Sequence, residues 1–404
     1  MKILHTADWH IGKKLHQFDL KEDVDLFVDW LVNLIRDRGV DVLLISGDVF
    51  DLANPSSEAR KQYYQALIKL KQVDCKIIIT GGNHDSPNML NAPKDLLNML
   101  NIHVIGGITE NLEEQIISLP NERNPELLVA AIPFLRDADL RKANEGETYE
   151  DRIKIIQKGV ETTYLNAAAH CKEKFPEIPV IAMGHLYTAG ATTSDSERDI
   201  QMGNQAMFHA TRFGENFSYI ALGHIHKPQK INNSTPTYYC GTPYPLSFSE
   251  REDKKRVLLI DTEKGFDPES IPVPEHRKLI RIQGDLNTIS LKLNSLEQAL
   301  QLTSLIEIHL VEKEYNAEKI QVLEEIINAF NQQGYEIIHR TIAFENKLRG
   351  TGEIYEQSQS LSELAPMEVF QKMLEPQEMD DMTRKEVRNA FQIILEEVEQ
   401  ELKD

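Results

Sequence analysis

The sequence predicts an α/β fold: a sheet-built first domain over residues 1–274, a small α+β unit over 275–345, a linker over 346–365 and helices over 366–404. Three observations carry this reading. Short apolar runs rich in β-branched residues alternate with helical patterns through the first domain, the mark of strands covered on both faces. Five of these runs end at side chains able to hold a metal. After Pro272 and Pro274 the pattern restarts as strand, helix, strand, helix, strand, without such a cluster.

The first strand, Lys2-Ile3-Leu4, leads into Asp8-Trp9-His10. From Leu20 to Arg38, Val24, Phe27, Leu31, Leu34 and Ile35 recur at helical spacing, and the pattern stops before Gly39. Val42-Leu43-Leu44-Ile45 runs to Gly47-Asp48, and a loop with Pro55 follows. Ser56 or Ser57 then caps a helix through Lys71 that carries Tyr63, Tyr64, Leu67, Ile68 and Leu70.

The stretch Lys76–Asp85 is the most telling. Its three isoleucines stop at Gly81-Gly82 and present Asn83, His84 and Asp85; the glycines allow a sharp turn or a close approach. A shorter helix, Pro93 to Leu100, offers Leu96, Leu97, Met99 and Leu100. With the preceding helix it either packs on the sheet or makes a dimer interface. Short strands follow at Val104-Ile105, Ile116-Ile117 and Leu127–Ala131, then a long helix over Tyr149–Lys174.

Val180-Ile181-Ala182-Met183 ends in Gly184-His185, and Tyr219-Ile220-Ala221-Leu222 ends in Gly223-His224-Ile225-His226. Between them, Thr188 to Asn216 is irregular and reads as functional loops. Residues 228–274 are β-rich. In the second unit the strands are Leu279–Ile282, Leu305–Val311 and Tyr335–Ile342, with a helix over Ala317–Asn331; His309 and His339 read as structural. Thr383-Arg384-Lys385-Glu386 is a capping box that opens the last helix, with Val387, Phe391, Ile394, Leu395, Val398 and Leu402 along one face. That face either folds back on the body or docks on a partner.

The chain has 404 residues, enough for two or three domains and a large core. It offers no apolar stretch long enough to span a bilayer, and the first strand begins at Met1, so the expected location is the cytoplasm, with no membrane partner. Three isolated cysteines, Cys75, Cys171 and Cys240, make neither a disulfide framework nor a CxxC site and read as core filling. The net charge of −20 argues against unaided nucleic-acid binding over the whole surface. It leaves small phosphates, or nucleic acid met through a local patch, bound cations or a partner.

Sites in open α/β sheets form beyond the carboxyl ends of strands, so Asp8, His10, Asp48, Asn83, His185, His224 and His226 are expected on one rim. Asp8 and His10 are two apart, as are His224 and His226, and in extended backbone each pair would point the same way. The mixed oxygen and imidazole set, without thiolate, suits manganese, iron or zinc over calcium or magnesium. Seven ligands are too many for one ion and about right for two that share a carboxylate, an arrangement that hydrolyses phosphoesters. His84 directly follows a ligand, so its ring is expected off the metals as a proton donor, with Asp85 fixing its tautomer. His5 reads as core; His16, His103, His170, His209 and His276 show no partner pattern. Lys13 and Lys14 either touch phosphate or are solvated.

These motifs, in this order, resemble the calcineurin-like metallophosphoesterase superfamily: Asp8-Trp9-His10, Gly47-Asp48-Val49-Phe50-Asp51, Gly82-Asn83-His84-Asp85, Gly184-His185 and Gly223-His224-Ile225-His226. His10-Ile11-Gly12-Lys13, Gly190-Ala191 with Ser194-Asp195, and Tyr239-Cys240-Gly241-Thr242-Pro243 with Pro245-Leu246-Ser247-Phe248 are similar to the bacterial SbcD family of nuclease subunits. The resemblance implies a four-layer sandwich of two mixed sheets flanked by helices, with the second unit as a cap. It implies two manganese ions, one held by Asp8, His10, Asp48 and His226 and the other by Asp48, Asn83, His185 and His224. His84 would be the catalytic histidine, backed by Asp85. It further implies a homodimer working with an SbcC-type ATPase, whose coiled-coil base receives the C-terminal helices. The implied substrates are DNA double-strand ends, single strands and hairpins. Asp51 stands where some relatives have histidine, so a phosphate contact there is not expected. The competing readings are a small-substrate phosphodiesterase or phosphatase on the same core, and a non-catalytic dimerisation scaffold.

Overall fold

The computed structural model describes residues 1–140, 148–198, 200, 207–296, 300–313 and 317–344, with residues 387 and 391. The linker 346–365 and the expected helices over 366–404, with their capping box, lie outside these residues apart from those two positions. So does part of the irregular segment 188–216.

The strands are β1 (Lys2–Thr6), β2 (Lys14–Leu15), β3 (Phe18–Asp19), β4 (Val42–Ser46), β5 (Lys76–Thr80), β6 (Ile102–Ile105), β7 (Ile116–Leu119), β8 (Leu127–Ala131), β9 (Val180–His185), β10 (Tyr219–Gly223), β11 (Gln229–Ile231), β12 (Thr237–Tyr239), β13 (Arg256–Asp261), β14 (Glu269–Pro272), β15 (Leu279–Gly284), β16 (Ser304–Glu312) and β17 (Tyr335–Phe344). The helices are α1 (Lys21–Arg38), α2 (Ser57–Leu70), α3 (Pro87–Asn91), α4 (Lys94–Asn98), α5 (Asp137–Leu140), α6 (Tyr149–Lys174), α7 (Leu286–Asn294) and α8 (Ala317–Ala329).

Two six-stranded sheets dominate, in the orders β14-β13-β1-β4-β5-β6 and β11-β12-β10-β9-β8-β7. In the first, β1, β4, β5 and β6 run parallel and β13 and β14 close one edge antiparallel. In the second, β8, β9, β10 and β12 run parallel, with β7 and β11 antiparallel at the two edges. Side chains alternate across each strand. Ile3, Leu44, Ile78, Val129, Ile181, Met183 and Ala221 meet in one buried cluster between the sheets. Their neighbours Leu4, Leu43, Ile45, Ile77 and Ile79 pack outward with Val24, Phe27 and Leu31 of α1 and Tyr63 and Leu67 of α2. Leu128, Ala130, Ala182, Ile220 and Leu222 pack outward with Val160, Tyr164 and Ala167 of α6. The layers are thus helix, sheet, sheet, helix, which is the expected four-layer fold.

The closing end of α1 and the opening end of α2 follow the residues predicted for them. Gly39 takes a left-handed conformation (φ 60°) to close α1. The Ser56 hydroxyl accepts the Ala59 N–H to open α2. Thr148 and Asp151 make a capping box for α6. One expectation needs correction. The helix expected over 93–100 covers only Lys94–Asn98 (α4) behind its Pro93 cap, and a separate short helix that the sequence reading missed, α3, opens at Pro87. All three cysteines are buried and unpaired, as core filling requires.

Contact clustering separates two compact units. Among the described residues, the first is Met1–Ile282 with Leu296–Ile308 and Phe330–His339; the second gathers Gln283–Ser295, His309–Ala329 and residues 340–344. Strands β15, β16 and β17 form a three-stranded sheet in that order, with α7 and α8 in the connections, matching the strand–helix alternation read for 275–345. No helix among the described residues is long and apolar enough to cross a membrane.

Candidate metal centre

Every candidate ligand sits at or just beyond the carboxyl end of a parallel strand. Asp8 and His10 follow β1, Asp48 follows β4, Asn83 follows β5, His185 ends β9, and His224 and His226 follow β10. The first three strands belong to one sheet and the last two to the other. All the histidines and aspartates of this set are buried, whereas Asn83 is half-buried.

The loops bend in a way the spacing did not reveal. Asp8 (φ 54°), His10 (φ 46°), Asp48 (φ 47°) and His224 (φ 97°) all lie in the left-handed region, uncommon for residues with a side chain. The extended backbone expected for the Asp8/His10 and His224/His226 pairs is therefore wrong at three of the four positions. Convergence comes from strained turns stitched to one another: Asp8 N–H donates to the Gly47 carbonyl, His10 N–H to Asp48 and Ile11 N–H to Val49. Gly82 is needed because a Cβ there would overlap the Asp48 carboxylate and backbone nitrogen.

Asp48 is the hub. Its Oδ2 lies 3.3 Å from His185 Nε2, 3.6 Å from His10 Nε2 and 4.0 Å from His84 Nε2. On one side, the His10 ring packs edge-on to His84 and His226. On the other, Asn83 Oδ1 lies 2.8 Å from His185 Nε2 and 3.1 Å from His224 Nδ1. Asp48 belongs to both close groups of donor atoms, with His10 and His84 and with His185 and His224. Asp8 uses one oxygen to accept the His224 N–H at 2.9 Å.

The donor set fits divalent cations. Asp8 Oδ2, His10 Nε2 and His224 Nε2 are buried without a hydrogen-bond partner, an arrangement costly for polar atoms unless an ion meets them. His185 donates its Nδ1 hydrogen to the Ser46 carbonyl at 3.0 Å, so a neutral ring turns the Nε2 lone pair toward the oxygens of Asn83 and Asp48. Lone pair facing oxygen is repulsive unless a proton or a metal ion lies between them. Burial pushes the Asp8 pKa up to about 7, partly offset by His185, and pushes His10 down to about 4. Burial and the His185 charge hold His224 well below the usual range. Burial opposes charge on His185, yet Asp48 outweighs it and lifts that ring to about 9. His10 and His224 are thus held as neutral imidazoles, the form that ligates, whereas Asp8 and His185 give up protons when an ion binds.

Groups behind the candidate ligands orient them. His226 Nδ1 lies 2.7 Å from Ser196 Oγ and 3.3 Å from Glu250 Oε1, turning Nε2 to the rim. Buried Glu250 is in turn held by Lys255 Nζ at 2.6 Å and Thr242 at 3.0 Å. His10 Nδ1 lies 3.3 Å from Asp51 Oδ1, and Lys13 Nζ lies 3.2 Å from the same oxygen, so Lys13 is paired to protein here. Sequence reasoning missed Ser196, Glu250 and Lys255. Glu250 lies two residues past the Pro245–Phe248 stretch, but no spacing rule points to a carboxylate that touches a ligand from behind.

His84 and Asp85 divide differently from expectation. The Asp85 carboxylate accepts three backbone hydrogens, from Gly82 (2.9 Å), Val49 (3.0 Å) and Phe50 (2.9 Å). It therefore braces two loops and does not set the His84 tautomer. That task falls to the Asp51 carbonyl, which accepts His84 Nδ1–H at 2.7 Å and leaves Nε2 facing the rim. Burial lowers the His84 pKa against the pull of Asp48 and the Asp51 carbonyl, and the Arg198 charge pushes the same way.

A family model described as calcineurin-like phosphoesterase matches residues 1–228. One described as type 5 capsule protein repressor C-terminal domain matches residues 275–378. The SbcD subunit of the nuclease SbcCD from Escherichia coli strain K12 is 32% identical over 402 residues, covering 97% of each chain. The protein of the same name from Rhodobacter capsulatus is 34% identical over 291 residues, 70% of this chain and 71% of that one. Its namesake from Bacillus subtilis strain 168 is 34% identical over 269 residues, 66% of this chain and 67% of that one. With its motifs gathered on one rim and the Escherichia coli relative matched over nearly its whole length, the chain belongs to the calcineurin-like phosphoesterase family and, within it, to the SbcD group of nuclease subunits.

Proposed function

We propose that this chain is the nuclease subunit of an SbcCD-type complex, a metal-dependent hydrolase of DNA phosphodiesters. One observation carries the chemistry: donor atoms from four other strand ends close around Asp48 while three of them stay buried and unpartnered. In this reading Asp8, His10, Asp48 and His226 hold one divalent cation, and Asp48, Asn83, His185 and His224 hold the other, with manganese as the physiological metal. Bound there, the pair would acidify a water and offset the charge of the phosphoryl oxygens.

The protein's own part is positioning and proton handling. His84 commits Nδ1–H to the Asp51 carbonyl, so Nε2 is the atom that holds a proton for the leaving oxygen. Asp85 is a positioning residue that keeps the Asp48 and Asn83 loops in register. Arg198, exposed and near enough to His84 to influence its proton, offers a cation to the incoming DNA backbone.

Residues 1–274 act as the nuclease domain, 275–345 as a cap that places DNA, and 366–404 as the helical segment received by an SbcC-type ATPase. The ATPase supplies much of the DNA grip, which accommodates a net charge of −20 on the nuclease. The exposed apolar side chains of α2 and its neighbour, Ile68, Leu96 and Met99, support a homodimer through this face. The complex acts in the cytoplasm in DNA repair and recombination, as an ATP-dependent exonuclease on duplex ends and an endonuclease on single strands and hairpins.

The test is the full chain, purified with its endogenous partners, assayed on single-stranded DNA and on a small aryl phosphodiester with manganese or with chelator. Manganese-dependent DNA cleavage, stimulated on duplex ends by ATP, is expected. Rapid turnover of the small ester with DNA left intact would favour the small-substrate reading instead.

A further inference from the structure

We propose that His16, Glu307 and His339 form a second metal site, away from the catalytic rim, that takes one transition-metal ion of the zinc class. Each offers a ligand atom, and the three atoms lie within 4.8 Å of one another. Tetrahedral ligands at about 2 Å from zinc stand roughly 3.3 Å apart, and an imidazole binds in its own plane, so the exposed His16 ring must turn out of its stack on His339 to close the site.

Two features set this cluster apart from chance neighbours. The pairing of Leu15 with Phe18 leaves His16 and Gln17 as the two residues of a tight hairpin turn, with φ of 46° and 76°. Such turns favour Asn-Gly, because both positions must be left-handed. Here the turn carries two ordinary side chains and still brings the His16 ring face to face with His339, 3.8 Å between centroids and 9° from parallel. The third member, Glu307, is a carboxylate only 5% exposed, with Oε1 4.0 Å from His339 Nε2. Arg281 Nε donates to its Oε2 at 2.6 Å. A ligating carboxylate held from behind by a hydrogen bond is the usual construction of a metal site.

The ligand chemistry selects the ion. Two imidazoles and one carboxylate, with no thiolate, suit zinc, cobalt or nickel and disfavour calcium and magnesium. Three protein ligands leave a fourth position for water. An ion there would pin the hairpin turn to β17, just downstream of Lys13 and His10, without entering the reaction.

Zinc content of the full-length protein, by elemental analysis after zinc loading and exhaustive dialysis, is the test. The His16→Gln and His339→Gln variants should each hold one equivalent fewer than wild type, with circular dichroism unchanged. Crystals of the wild-type chain soaked in zinc should show an anomalous peak between residues 16, 307 and 339, a result that needs no variant to fold. Equal zinc content in wild type and both variants, or anomalous density confined to the catalytic rim, would overturn the proposal whatever the rim turns out to catalyse.

Discussion

His84 is the residue on which the chemistry can be separated from the cage. Its ring nitrogen faces the rim while its backbone N–H, which any substitution keeps, donates to Asp48 Oδ1 at 2.9 Å. His84→Gln should retain bound manganese and lower the cleavage rate by about 100-fold or more, the scale of a lost proton donor; metal content and single-turnover rates read both. His5 makes a different point. It is buried between the sheets beside the Tyr219 hydroxyl, and burial lowers its pKa from 6.5 to about 3. The unfolded chain binds the proton that the folded one refuses, so stability is intact above pH 6.5 and falls as pH drops toward 3. By pH 4.5 the loss is roughly 2–3 kcal/mol. His5→Gln should flatten the melting temperature between pH 7 and 4.5, and an unchanged slope would refute the assignment. At this scale the sequence spoke clearly about which polar residues gather on the rim, because strand ends announce themselves. It was silent about Glu250, Lys255 and the Asp85 braces, which act through atoms brought together only by the fold.

At the scale of elements, the strand–loop junctions carry the strain. Asp48 and Gly82 approach so closely that Gly82→Ala must push the Asp48 carboxylate aside. Manganese affinity should fall about 10–100-fold, as for other groups that orient ligands, while helix content stays constant; titration calorimetry distinguishes the two. Strands and long helices were legible because their apolar periodicity is sustained, as in Lys21–Arg38 and Tyr149–Lys174. The short helix at Pro87–Asn91 and the left-handed turns were not. Pro87 sets the first, and backbone sterics relieved by neighbouring loops set the second, neither of which a hydrophobic pattern encodes. The hairpin at His16 belongs with these, since its partners lie some three hundred residues downstream.

For the whole molecule, the order of the layers follows from alternation along single strands, so the sandwich could be anticipated once the resemblance supplied the second sheet. What covers the outer face of α2 could not. Ile68, Leu96 and Met99 are 63%, 64% and 83% exposed. Ile68→Asp with Leu96→Asp should turn a dimer into a monomer in sedimentation without lowering the melting temperature by more than a few degrees, since neither side chain supports the core. A variant that remains dimeric would move the interface elsewhere.

The three backbone hydrogens gathered by Asp85 have one more implication. They tether the turn after β4 to the turn after β5 through protein alone, so emptying the rim should leave its walls standing. Stripped enzyme ought to regain full turnover within the mixing time when manganese is returned, with no slow recovery phase. Asp85→Asn should introduce such a lag, because the vacant cradle would then have to reassemble before it could refill.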